Sequence, residues 1–174
     1  MDKKILARAR KIRMVLLDVD GVMTNGQVLL LPNGDEVKQF SILDGFGIVS
    51  AMKSGIRVGI ISGRKSPSLK IRCEELHIED LYMGEMDKLP ILNEVAARYS
   101  LEPEEIAFIG DDVPDLPVLL RVGLAVAPEN AHPEVKSRVH LVLQRRGGEG
   151  AVREFTDLLL AAQGKADALL KKFL

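Results

Sequence analysis

The chain of 174 residues has no tryptophan, 4% aromatic residues and one cysteine, Cys73. A single cysteine excludes an internal disulfide and any metal cluster built on thiolates. Cys73 itself reads as a small core residue in a helical segment. Few aromatics leave no stacking platform. A net charge of −1 without a basic block leaves no stripe to track phosphates, so nucleic acid is not an expected partner. No apolar run approaches the ~18 residues that would span a bilayer, so no membrane is expected either. Residues 1–13 are charged throughout and lack the apolar stretch of a secretory signal. The expectation is a soluble cytoplasmic protein. What remains is ordinary globular usage, 47% apolar and 28% charged, with enough chain for one full core. No repeat or linker divides it, so 1–174 is expected to be a single domain.

One stretch organises the rest: Met14-Val15-Leu16-Leu17 runs straight into Asp18-Val19-Asp20-Gly21. An apolar run of this kind reads as a buried parallel strand. Two carboxylates where it leaves the core need a cation, donors or water. Further strands are expected at 56–61, 78–82, 106–109, 123–127 and 139–143. Helices are expected at 2–11, 45–54, 67–76, 88–99, 114–121 and 149–162. Asp44 is read as the cap of the helix at 45–54, which ends at Gly55. The alternation predicts an α/β fold, a parallel sheet with helices on both faces. Segments 27–31 and 36–40 flank Pro32-Asn33-Gly34-Asp35 and predict a β-hairpin over about 27–40. Its Leu29, Leu30 and Leu31 would expose apolar surface alone, so the hairpin is expected to pack on a partner subunit. Residues 163–174 form a tail of mixed character, either a disordered end or an arm reaching a neighbouring subunit's site.

In open α/β sheets the ligand crevice lies at the carboxyl ends of the strands. Asp18 and Asp20, then Ser62, then Asp111 and Asp112 all fall at such ends. Each alone is ordinary turn or cap chemistry; together they point to a site. Aspartates gathered at one edge repel, and a hard divalent cation with oxygen ligands, Mg2+, relieves this. Mg2+ held by so few carboxylates suggests a phosphorylated substrate. Asp18 is then placed to attack phosphorus. Asp20 is placed to protonate the leaving alcohol and later deprotonate the water. Ser62 and Lys88 supply donors to the phosphoryl oxygens. Asp111 completes the metal shell, and Asp112 or Asp115 acts through water or holds Lys88. His77, His132 and His140 are scattered and read as surface or core residues.

These motifs resemble the haloacid dehalogenase superfamily of phosphohydrolases: Asp18-Val19-Asp20-Gly21, Ser62, Lys88, and Gly110-Asp111-Asp112-x-x-Asp115. More narrowly, the chain resembles the 3-deoxy-D-manno-octulosonate 8-phosphate (KDO 8-phosphate) phosphatase family. That likeness rests on residues 18–26, Asn33-Gly34, Asp44-Gly45-x-Gly47-Ile48, Ser62-Gly63-Arg64 and Gly147-Gly148-x-Gly150-Ala151-Val152-Arg153-Glu154. It implies a Rossmann-like sheet without a mobile cap, bearing a protruding hairpin. It also implies a homotetramer whose hairpins assemble at the centre, each active site being covered by a neighbour. It makes Asp18 the nucleophile and Asp20 the general acid/base. Mg2+ would sit on Asp18, the Asp20 carbonyl and Asp111, and the phosphate on Ser62 and Lys88. Arg64 and Arg72 become candidates for the sugar-acid carboxylate, since a guanidinium grips a carboxylate with two prongs. Asn25, Leu43 and Lys65 depart from the usual pattern around the substrate pocket. Similar proteins act on nonulosonate 9-phosphates. A signalling receiver domain also clusters aspartates and a lysine, but its acceptor follows the third strand, not the first. A non-catalytic regulatory or oligomerisation module is the remaining alternative.

Overall fold

The computed structural model describes residues 2–174. Its centre is β1 (Met14–Leu17), buried at every position. Side chains alternate across a strand, and here both sides are core. Val15 and Leu17 face one apolar cluster, Met14 and Leu16 the other. Parallel partners flank β1 on each side, β4 (Arg57–Ser62) through Leu17 opposite Ile60 and β6 (Ile106–Ile109) through Leu17 opposite Ile109. With β5 (Asp80–Met83), β7 (Leu124–Ala127) and β8 (Leu141–Val142), the sheet runs β5-β4-β1-β6-β7-β8, every pairing parallel. The chain crosses from β1 to β4 in one direction and later to β6 in the other. The end of β1 is therefore the place where strand order reverses, and a crevice opens there.

Helices cover both faces, as the alternation predicted. On one side lie α1 (Lys3–Ala9), α2 (Ile42–Lys53), α3 (Pro67–Leu76) and α7 (Ala151–Ala162), contributing Ile5, Ile48, Leu69 and Phe155 to the first cluster. On the other lie α4 (Leu89–Tyr99), α5 (Leu116–Leu119) and α6 (Pro133–Lys136), contributing Leu92, Val118 and Val135 to the second. Cys73 is buried in the first cluster, and burial pushes its thiol up to about 11. Among the described residues no helix is long and apolar enough to cross a membrane.

Two expectations are corrected. Ser41, not Asp44, caps α2: its Oγ accepts from the Asp44 N–H at 3.4 Å. Asp44 is instead buried, and its Oδ1 accepts from the Arg153 N–H at 2.8 Å. It caps α7 from across the α2–α7 interface, just after Gly150, whose φ is +100°. The hairpin strands, β2 (Leu29–Leu30) and β3 (Glu36–Val37), are two residues each, shorter than the expected 27–31 and 36–40. Among the described residues they pair only with each other, antiparallel, Leu29 opposite Val37. A two-stranded ribbon with no sheet behind it has little to extend it. Its turn closes as the sequence suggested, with Gly34 at φ +87° donating to the Leu31 carbonyl at 2.9 Å. The tail forms α8 (Ala166–Leu170) and folds back on its own chain: Leu169 packs against the first cluster. The Phe173 ring lies 5.7 Å from that of Phe46 on α2.

Because the Asp44 carboxylate caps a helix it does not belong to, Asp44→Ala is expected to lower stability by about 1–2 kcal/mol, the usual cost of losing a side-chain cap. The urea midpoint measures this. An unchanged midpoint would mean that the first turn of α7 finds its acceptors elsewhere.

Candidate active site

Three adjacent strands end at one point. Asp18 follows β1, its N–H donating to the Ile109 carbonyl of β6 at 2.9 Å. Ser62 is the last residue of β4, buried. Asp111 follows β6 after Gly110. Asp115 returns to the same point by a single turn of 3-10 helix over Val113–Asp115, capped by Asp112. Ligand oxygens of Asp18, Asp111 and Asp115 lie within 4.8 Å of one another. Lys88, at the entrance to α4, reaches between two of them. Its Nζ donates to Asp18 Oδ1 and, at 2.6 Å, to Asp115 Oδ1. All three of these side chains are buried.

Asp115 is fully committed. Besides Lys88, its Oδ2 accepts from the N–H groups of Asp111 at 3.0 Å and Asp112 at 3.3 Å. It holds both the lysine and the loop after β6, and Asp112 is spent on the cap. Of the two roles expected for this pair, holding Lys88 falls to Asp115. The Asp111 carboxylate, by contrast, accepts no hydrogen bond among the described residues. Gly21 runs against it at φ +97°, and a Cβ there would lie 2.0 Å from Asp111 Oδ2, so no other residue fits.

One ammonium among three carboxylates leaves the point under-neutralised. Burial, then the Asp115 charge, pushes the Asp18 carboxyl up to about 6 despite Lys88. Burial, followed by the charges of Asp18, Asp115 and Asp112, pushes Asp111 up to about 8. For Lys88 burial acts to lower the pKa, but Asp18 and Asp115 outweigh it and the group is raised. Oxygen donors alone, one of them unpartnered, and an excess of negative charge fit a hard divalent cation such as Mg2+.

Asp20 lies apart from this cluster. Its carboxylate turns toward the hairpin and pairs with Lys38, which also pairs with Glu36 at 3.0 Å. Glu36 in turn pairs with Arg64, and the Arg64 N–H donates to Ser62 Oγ at 3.2 Å. Arg64 thus stands at the rim of the crevice. Arg72 does not: it bonds Glu75 at 2.8 Å and the Ser41 carbonyl at 3.3 Å, between α3 and the start of α2, with no bond to the cluster. Asn25 only closes a local turn, accepting from the Gln27 N–H at 3.0 Å.

The sequence did not reveal Lys38, Glu36 or Asn130. Asn130 donates to the Gly21 carbonyl at 2.9 Å and accepts from the Gly147 N–H at 2.6 Å. Gly147 packs on the same loop, where a Cβ would lie 1.8 Å from the Gly21 oxygen, and the Gly148 N–H donates to the Val22 carbonyl at 3.1 Å. The paired glycines were visible as a motif, but only long-range contact explains them.

A family model described as haloacid dehalogenase-like hydrolase matches residues 72–155. The chain is 45% identical over 163 residues to the 3-deoxy-D-manno-octulosonate 8-phosphate phosphatase of Escherichia coli K12, covering 94% of this chain and 87% of that one. Among solved structures, the 3-deoxy-D-manno-octulosonate 8-phosphate phosphatase of Yersinia pestis superposes with a TM-score of 0.95 at 42% identity, covering 96% of this chain and 90% of that chain. The Moraxella catarrhalis phosphatase of the same name, solved in complex with a magnesium ion, a phosphate ion and KDO, superposes with a TM-score of 0.97 at 33% identity over 100% of both chains.

A cation entering this cluster must displace protons held by Asp111 and, at lower pH, by Asp18. Raising the pH from 6 to 8 removes that competition, so Mg2+ affinity is expected to rise by at least ~10-fold across this range. Titration calorimetry in buffers of different ionisation enthalpy should show proton release on binding near pH 7. Equal affinities at pH 6 and 8 would mean either that Asp111 is already ionised at pH 6 or that it does not hold the cation.

Proposed function

The chain belongs to the KDO 8-phosphate phosphatase family of haloacid dehalogenase-like hydrolases, and on that premise we propose that it hydrolyses KDO 8-phosphate to KDO and phosphate through an aspartyl-phosphate intermediate. The observation that carries this reading is the joining of Asp18, Asp111, Asp115 and Lys88 at the strand-order reversal. Asp18, Asp111 and the Asp20 main-chain carbonyl would hold Mg2+. When bound, the ion withdraws charge from the phosphoryl oxygens and lets anionic Asp18 and the phosphate dianion approach.

The protein's own groups do the rest. Asp18 is the nucleophile. Raised by burial when free, it is held as an anion by Lys88, already in contact with it. Its attack on phosphorus forms an Asp18–phosphate bond as the bond to the sugar oxygen breaks. Asp20 gives that oxygen its proton. The two aspartates must stand on opposite sides of the transferring phosphorus, and Asp20 is correspondingly outside the tight cluster and turned toward the hairpin. Asp20 then takes a proton from water as it attacks the phosphoenzyme, releasing phosphate and restoring Asp18. Ser62 and Lys88 donate to the equatorial oxygens, while Asp115 keeps Lys88 in place. Arg64, about half exposed beside Glu36 at the rim of the crevice, is suited to the sugar-acid carboxylate.

The assembly belongs to this reading as well. Val28, Leu29, Leu30, Leu31 and Val37 are exposed together on the hairpin, Leu30 at 64%. A contiguous apolar ribbon of this kind is suited to burial between subunits, consistent with a cytoplasmic homotetramer whose sites lie at subunit boundaries.

Three experiments test this reading. Asp18→Asn abolishes phosphate release from KDO 8-phosphate and leaves the circular dichroism spectrum unchanged; turnover within tenfold of wild type would exclude Asp18 as nucleophile. A panel that includes a nonulosonate 9-phosphate, run with Mg2+ and with EDTA, ranks the substrates. Replacing Leu29 and Leu30 with lysine is expected to give monomers of poor turnover, and an intact tetramer in sedimentation would overturn the hairpin's role in assembly.

A further inference from the structure

Lys38 is a lysine with its side chain only 3% exposed, held at the edge of a two-stranded ribbon. A buried ammonium is costly unless fully paired, and both of its partners are known. One is the Asp20 carboxylate; the other is Glu36 Oε1 at 3.0 Å. Glu36 is fixed from the other side by Arg64, whose main chain is bound to Ser62 Oγ at 3.2 Å. An unbroken line of charge-assisted contacts therefore runs Asp20–Lys38–Glu36–Arg64 and closes on the serine at the end of β4. It joins the loop after β1 to the hairpin and the hairpin back to the crevice. Nothing else among the described residues makes a hydrogen bond to the Asp20 carboxylate. That carboxylate must nevertheless be aimed at the leaving oxygen in one half of the reaction and at water in the other.

From this we infer that Lys38 is a positioning residue: it orients Asp20 for proton transfer and makes that orientation depend on the docking of the hairpin. The inference rests on Asp20 being the general acid/base. Among the described residues Lys38 pairs with Asp20 and Glu36 and not with Asp18, Ser62 or Lys88, so its loss is expected to act on turnover and not on binding. A misaimed proton carrier costs on the order of 100-fold at most, a fraction of what general acid–base catalysis supplies. Lys38→Met, close in shape but without charge, is expected to lower kcat on KDO 8-phosphate by about 10- to 100-fold with KM changed less than about threefold. Lys38→Arg keeps a cation with donors and is expected to recover part of the loss.

The test is a double-mutant cycle with Asp20→Asn, the circular dichroism spectrum and the Mg2+ affinity of each variant being recorded as controls. If Lys38 acts only through Asp20, adding Lys38→Met to Asp20→Asn lowers kcat no further. A second readout uses p-nitrophenyl phosphate, whose leaving group needs no proton. There Lys38→Met should give a burst of nitrophenol approaching one equivalent per site, because only the water step still needs Asp20. Multiplicative losses in the cycle, or a loss confined to KM, would overturn the positioning role. Full activity of Asp20→Asn itself would instead overturn the general acid/base reading, so the two failures are told apart.

Discussion

The structure turns on a buried ammonium shared by two carboxylates. Lys88 between Asp18 and Asp115 makes a cluster of acids tolerable in a place that water barely reaches. Its partners come from the ends of β1 and the turn after β6, so the contact can exist only if those strands are neighbours in register. The sheet supplies that: Leu17 lies beside Ile109, Asp18 follows Leu17 directly, and the turn after Ile109 brings Asp115 back to the same point. In this sense the ion triad and the sheet order are one fact. Breaking the lysine away would leave two buried charges opposed, which costs far more than the pair itself contributes.

The same cluster is stable yet incomplete. Asp115 has given both oxygens to Lys88 and to the N–H groups of residues 111 and 112, while the Asp111 carboxylate accepts no hydrogen bond among the described residues. The incompleteness is kept in shape by close backbone packing. Gly21 passes against Asp111, Gly147 passes against Gly21, and Asn130 ties the two loops together. A Cβ at Gly21 would run into the Asp111 carboxylate and one at Gly147 into the Gly21 carbonyl, so both positions stay bare. A site intended only to be stable would give the Asp111 carboxylate a donor.

Much of this was legible in the chain. The apolar run before Asp18, the alternation of strand and helix, and the recurrence of polar residues at strand ends lead to the sheet and to Asp18, Ser62 and Asp111. Those signals are local and periodic. What stayed hidden depends on contacts between distant segments. Asp44 looks like the cap of its own helix because Ser, Asp and Gly near a helix start all read as caps. Its role at α7 is set by packing across 109 positions of sequence. Arg72 sits one helix from Arg64 in sequence but faces Ser41 and Glu75. Lys38 looked like one more charge on a ribbon strand, and only the fold brings it to Asp20, 18 residues away.

Chemistry and selectivity are therefore held by different parts of the chain. Of the groups proposed to act at phosphorus, Asp18 and Ser62 stand at the ends of strands of a sheet buried on both faces, and Lys88 is pinned beside Asp18 by Asp115. The groups that would meet the sugar acid, Arg64 and the hairpin beside it, stand at the exposed rim and are held by ion pairs. Glu36 belongs to both sets: it neutralises Arg64 and braces Lys38. A substrate carboxylate that drew Arg64 away from Glu36 would leave Glu36 wholly to Lys38, and Lys38 is the only side chain bonded to the Asp20 carboxylate among the described residues. Recognition of the sugar acid and alignment of the proton carrier would then share a carboxylate. Substrates that lack the acid group would lose turnover as well as affinity, which is how binding energy remote from phosphorus comes to be used in the chemical step.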